Sequence, residues 1–145
     1  MTIDDLEEAC RTYGVDVRPG DIVIVRTGHL RRFTVEKNRQ KLNSIPMPGL
    51  SHLCAEWRYD KSVAAVAADN LAVEVILPEI KASDMPHPLH MLCLRDMGCP
   101  LGEMFELEEL SADCAADGRY SFMLAAPALA LTGAFGSPVN PIVLK

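Results

Sequence analysis

The sequence predicts an α/β fold, and three observations carry that prediction. Ile22-Val23-Ile24-Val25 is an unbroken apolar run of strand length, the pattern of a strand covered on both faces. Ser62 to Ala67, SVAAVA, is a second short apolar run, closed by the polar pair Asp69-Asn70. Around these runs lie segments whose apolar residues recur at helical spacing. The later, proline-broken strands do not suggest a regular doubly wound sheet. A chain of 145 residues, about half of them hydrophobic, is expected to form a single domain, 1–145, with a real core.

The N-terminal helix opens on Thr2 as cap, with Asp5 where an acid favours a helix start. Ile3, Leu6, Ala9, Cys10 and Tyr13 give it one buried face, and Gly14 ends it. Pro19-Gly20 turn the chain into the Ile22–Val25 strand. Residues 30–49 follow as the most strongly charged stretch, with Arg31, Arg32, Lys37, Arg39 and Lys41. It reads as a solvated loop or short helix, with a substrate-facing lid as the sharper alternative. Pro48-Gly49 punctuate again. Ser51 caps a helix carrying Cys54, Ala55 and Trp57 to Tyr59, with Trp57 in the core.

The Ser62–Ala67 strand comes next. Asp69 and Asn70, past its C-terminal end, are placed either to face a site or to make a turn by bonding their own backbone. VEVILP (73–78) is a strand or extended loop with Glu74 opposite its apolar neighbours, and Glu79 to Met85 is a polar connection. After Glu103, FELEELSADCAADG gives a helix lined by Leu107, Leu110 and Cys114 and closed by Gly118. RYSFMLAAPALALTG is a strand region broken at Pro127, and GSPVNPIVLK reads as an extended surface-tracking tail.

Composition excludes several functions. A net charge of −6 argues against nucleic-acid binding, which needs a basic face. No run approaches the length of a membrane helix, and the acidic N-terminus lacks a signal-peptide layout. The five cysteines are odd in number and form no CxxC pair, so reduced core thiols in a cytoplasmic protein are expected.

The most informative stretch runs from His87 to Leu110. Pro88 suits the first turn of a helix that places His90 near its start. Leu89, Leu92 and Cys93 form the buried stripe, and Gly98 is a left-handed stop. An extended return from Cys99 brings Glu103 back beside His90. Imidazole and carboxylate are ligand types for a borderline divalent metal such as zinc or manganese. A capping histidine and a solvated acid have the same spacing, so that reading stays open. His87 precedes Pro88 and is expected outside the helix, more exposed than His90. His29 and His52 read as structural histidines, with a cleft-facing role as the alternative. Cys93, although near His90, sits on the apolar stripe and is expected to be buried. There is no glycine-rich phosphate loop, no G-x-S-x-G elbow and no H-E-x-x-H.

Taken together, VRPGDIVIVRTGH, PGLSHLCAEW, VAAVAADNLAVE, HPLHMLCLRDMGCPLGEMFELEEL and DGRYSFMLAAPALALTGAFGSPVNPIVL resemble, in order and over nearly the whole chain, the cyclase family of metal-dependent hydrolases. That group includes bacterial kynurenine formamidase and isatin hydrolase. The resemblance implies a swivelling β/β/α fold, oligomers with active sites near subunit contacts, and hydrolysis of a small-molecule amide or lactam by water activated on zinc or manganese. It places His90 and Glu103 at the family's second metal position.

One departure stands out. The family's main motif, His-x-Gly-Thr-His-x-Asp-x-Pro, lies upstream of the matched stretches, and no such run occurs here. The expectation is therefore an incomplete cyclase-like fold, the C-terminal part of such a hydrolase, inactive alone. It would act as a homo-oligomer or in complex with a chain carrying the missing N-terminal half. The alternative is a non-catalytic binding or assembly module that retains the fold.

Overall fold

The computed structural model describes residues 1–42, 45–76 and 85–145. Residues 77–78 of the expected 73–78 segment, and 79–84 of the connection after it, lie outside the described residues.

Helix α1 (Ile3–Tyr13) is capped reciprocally at its start: Thr2 Oγ1 accepts from the Asp5 N–H, and the Asp5 carboxylate accepts from the Thr2 N–H at 2.7 Å. Gly14 ends it at φ 64°, a conformation that costs other residues a Cβ clash. Leu6 is its buried anchor. Tyr13, expected on the buried face, instead stands in solvent and packs its ring on Tyr120, with centroids 4.5 Å apart.

Three parallel strands form the central sheet in the order β1 (Ile22–Val25), β2 (Ala65–Ala68), β3 (Leu101–Gly102). Ile22 pairs with Ala65, Val25 with Ala68, and Val66 with Leu101. β2 is the strand covered on both faces: Val66 and Ala68 join the main core, while Ala67 packs on Phe105 and Leu107 on the other side. β1, expected to be covered likewise, lies at the sheet edge and leaves Ile22 exposed.

Between β1 and β2 the charged stretch forms two single helical turns, α2 (Arg31–Thr34) and α3 (Arg39–Leu42), with no buried residue in either. Helix α4 (Cys54–Asp60) begins three residues after Ser51, whose hydroxyl accepts from the Leu53 N–H at 3.3 Å. Trp57 is buried, and its indole N–H donates to Glu7 on α1, which locks the two helices together. Leu6, Leu50, Trp57, Val66, Leu89 and Cys93 belong to one core cluster.

The chain then enters helix α5 (Pro88–His90), which continues as a π-helical stretch over Met91–Asp96 and ends at Gly98, φ 62°. Wider turns of this kind often mark functional segments. Helix α6 (Glu108–Asp117) follows β3 and stops at Gly118. The last segment is not a lone tail. β4 (Met123–Ala125) and β5 (Ile142–Leu144) pair antiparallel as a two-stranded ribbon, with β4 ending before Pro127.

Candidate functional site

Glu74 is the centre of the site, and sequence reasoning did not select it. It is 1% exposed. Its backbone is held against residues 47–50: Leu50 N–H donates to Val73 O and Val75 N–H to Leu50 O, each at 2.9 Å. Gly49 makes the approach possible, since a Cβ there would lie 2.3 Å from the Glu74 carbonyl carbon. Asn70 Nδ2 donates to Pro48 O at 2.7 Å and to Glu74 O at 3.3 Å, bracing the same corner.

Glu74 spends both carboxylate oxygens on the start of α5. Oε2 accepts from the Leu89 N–H at 2.9 Å, one of the first-turn donors with no partner inside a helix. Oε1 lies 2.6 Å from His90 Nδ1 and 3.1 Å from His87 Nδ1. On the far side of the ring, His90 Nε2 is 3.1 Å from Glu103 Oε1. Glu103 is returned there by β3 and by two backbone bonds just beyond it, Met104 N–H to Asn70 O (3.0 Å) and Phe105 N–H to Ala68 O (3.1 Å). The structure thus brings together His90 and Glu103, the two residues proposed as metal ligands from the sequence. It adds Glu74 and His87 beside them.

Backbone strain gathers at the same place. Five non-glycine residues among those described have positive φ, and three of them, Val73, His87 and Met104, adjoin or belong to this cluster. A β-branched residue such as Val73 at φ 56° is rare and is held only by the packing around it.

The electrostatics follow from the contacts. Burial pushes the Glu74 carboxyl up, but hydrogen bonds from His90 and the Leu89 N–H, with the nearby His90 and His87, outweigh it and hold Glu74 below the ordinary carboxylate range. The bond to Glu74 raises His90 above the usual imidazole range against the effect of burial, and Glu103 adds to the rise. The result is an imidazole held between a buried carboxylate and a half-exposed one.

The donor set suits a borderline divalent ion. An imidazole nitrogen and a carboxylate oxygen 3.1 Å apart are near the roughly 3.3 Å separating two ligand atoms on one tetrahedral ion. Glu74, His87 and His90 also offer three atoms within 4.8 Å of one another, a second possible grouping among the described residues.

The other expected histidines divide differently. His29 is fully buried, its Nε2 bonded to Leu42 O at 2.7 Å, a structural role. His52 is half-buried beside α4. Asp69 and Asn70 buttress: Asp69 Oδ1 accepts from Thr27 N–H (2.6 Å) and Thr27 Oγ1 (2.7 Å), tying the end of β1 to that of β2. Cys93 is buried, and desolvation pushes its thiol up to about 11. The signal that could have found Glu74 is the lone carboxylate inside the apolar run VEVIL, since an acid is buried only with partners.

Comparison with known proteins concerns the chain as a whole. Residues 1–75 match the Cyclase family model, described as "Putative cyclase". The fold superposes on the crystal structure of a novel cyclase with a TM-score of 0.85 at 40% identity, covering 99% of this chain and 46% of that one. An isatin hydrolase bound to the product analogue thioisatinate gives 0.76 at 21% identity, covering 100% of this chain and 52% of that one. Isatin hydrolase A from Ralstonia solanacearum gives 0.75 at 18%, covering 99% and 52%. These last two speak to fold alone. No curated protein matches. The chain spans about half the length of the solved structures it superposes on.

Proposed function

This chain belongs to the cyclase family, and from that premise we propose that it supplies part of a metal-dependent hydrolase site acting on the C–N bond of a small-molecule amide, an aryl formamide or a lactam. The observation that carries the reading is the 3.1 Å approach of His90 Nε2 to Glu103 Oε1, a nitrogen and an oxygen donor converging on one point. His90 and Glu103 would hold zinc or manganese. Such an ion, when bound, polarises a carbonyl and lowers the pKa of water. The chain's own residues do the holding: β3 returns Glu103 to the ring, and α5 presents His90 just after the buried Pro88 and Leu89.

Two protein ligands fall short of the three usual for a hydrolytic site. The remaining ligands would come from polypeptide corresponding to the half of the related structures that this chain does not cover. Alone, the chain should bind metal weakly and turn over little. The partner is either a complementary chain or further copies of this one, and the apolar ribbon β4–β5 is the surface that calls for one. Free thiols at all five cysteines suit a cytoplasmic setting. The second reading, a non-catalytic binding or assembly module, is favoured by the two-ligand count alone.

The test is calorimetric titration with zinc and manganese, paired with turnover of an aryl formamide and a lactam. Both are run with and without the N-terminal portion of the 40%-identical cyclase. Weak binding that strengthens on complementation, with turnover, and that is lost in Glu103→Gln, supports the hydrolase. Complementation without metal binding or turnover leaves the assembly module.

A further inference from the structure

We propose that Glu74 is a positioning residue and not a ligand: its buried carboxylate fixes the tautomer and tilt of His90, so that Nε2 is the nitrogen offered to an ion. The inference rests on the assignment of His90 and Glu103 as ligands, and it decides between the two groupings that the geometry offers. Taken by distance, Glu74, His87 and His90 could pass as a ligand trio.

Three observations speak against the trio. The 2.6 Å between Glu74 Oε1 and His90 Nδ1 is a charge-assisted hydrogen bond, well short of the roughly 3.3 Å between two ligands of one tetrahedral ion. Glu74 Oε2 is committed to the Leu89 N–H at 2.9 Å, and Oε1 also takes His87 Nδ1 at 3.1 Å. Turning the carboxylate toward an ion would strip a buried helix N-terminus of its acceptor, since Glu74 is 1% exposed.

The consequence follows from the chemistry of imidazole. A ring nitrogen that donates a proton has no lone pair for a metal. In the neutral ring the other nitrogen carries that lone pair. Holding Nδ1–H on Glu74 therefore leaves Nε2 as the nitrogen that gives up its proton, and offers its lone pair, when an ion enters beside Glu103, 3.1 Å away. A carboxylate behind a metal-binding histidine both fixes the ring and raises its basicity. His87, bonded to the same oxygen through Nδ1, is set in the same sense.

The experiment is long-range 1H–15N NMR on the full chain labelled with 15N-histidine. The metal-free chain is followed upward in pH until the His90 ring nitrogens stop shifting, and zinc chloride is added to a separate sample near neutral pH, where the ion stays in solution. Expected is His90 protonated at Nδ1 and bare at Nε2, with zinc shifting Nε2 while Nδ1 keeps its proton. Glu74→Gln should mix the tautomers and weaken zinc binding by about 10- to 100-fold. Glu103→Gln should weaken binding and leave the tautomer alone. A metal-free His90 protonated at Nε2, or an Nδ1 that loses its proton to zinc, overturns the proposal. The wild-type spectrum decides the matter even where Glu74→Gln does not fold. Should zinc fail to bind at all, the ligand assignment falls, while the metal-free spectrum still judges Glu74.

Discussion

Gly49 and Glu74 touch backbone to backbone: a methyl group on Gly49 would sit 2.3 Å from both the carbonyl carbon and the carbonyl oxygen of Glu74. Neither partner is the end of a flexible side chain, so nothing can swing aside. Gly49→Ala should cost about 2 kcal/mol or more in unfolding free energy, because overpacking here moves a strained segment. It should also loosen the Glu74–His90 bond. Gly14→Ala is the control: its φ is 64° with open space around the added Cβ, and the cost is the left-handed conformation alone, about 1 kcal/mol. Urea unfolding of the two variants checks the contrast, and equal losses would refute it.

A second prediction concerns pH. Arg26, just past β1, makes a two-pronged bond to Glu108 in the first turn of α6, at 2.9 Å through both Nε and Nη2. The hydrogen bond from Arg26 holds the Glu108 carboxyl below its ordinary 4.5. A carboxyl depressed in the folded state stabilises fully above its unfolded pKa, and the contribution disappears as pH falls through the folded one. Glu108→Gln should therefore cost about 0.5–1 kcal/mol at neutral pH, since the pair is partly exposed. The gap between variant and wild type should stay constant down to about pH 4.5 and close below it. A gap that persists or widens in acid would contradict this.

Much of the fold is legible in the sequence because its punctuation is local. Thr2 with Asp5, Gly14, Gly98 and Gly118 all mark helix ends through their own backbone chemistry. The return of Glu103 to His90 is legible too, because Gly98 and a short extended segment leave few alternatives. Glu74 is not, because its role depends on partners 13 and 16 residues away and on the close approach of Gly49. Nor is the pairing of Ile142–Leu144 with Met123–Ala125, because the long loop between them carries several turn signals, at Gly133, Ser137-Pro138 and Asn140-Pro141, and none of them is a tight hairpin turn that sets the register.

Cysteine reactivity gives a third prediction. Cys93 is 1% exposed, its thiol pushed up to about 11 by burial, whereas Cys10 is partly exposed on α1. The thiolate is the reactive form, so Cys93 should be inert toward iodoacetamide in the folded chain and Cys10 should label first. Peptide mapping after brief alkylation reads the order. Early labelling of Cys93 would mean that the π-helical stretch after α5 opens readily, and with it the site.

The ribbon carries the last prediction. From Tyr120 to Leu144 the chain has no charged residue. Its two strands place Met123 opposite Leu144 and Ala125 opposite Ile142, and Met123, Ile142 and Leu144 are all more than half exposed. Two strands with an uncovered apolar face are not stable on their own in water, and no charge on this surface opposes association, although the rest of the chain is acidic. The chain should therefore sediment as a species larger than its 15.9 kDa at micromolar concentration. Met123→Lys with Ile142→Lys should shift it to the monomer while the helical circular dichroism stays unchanged, because neither side chain belongs to the core clusters. A wild-type chain that runs as a stable monomer would show that the ribbon needs no cover, and the case for a partner would lose its main physical support.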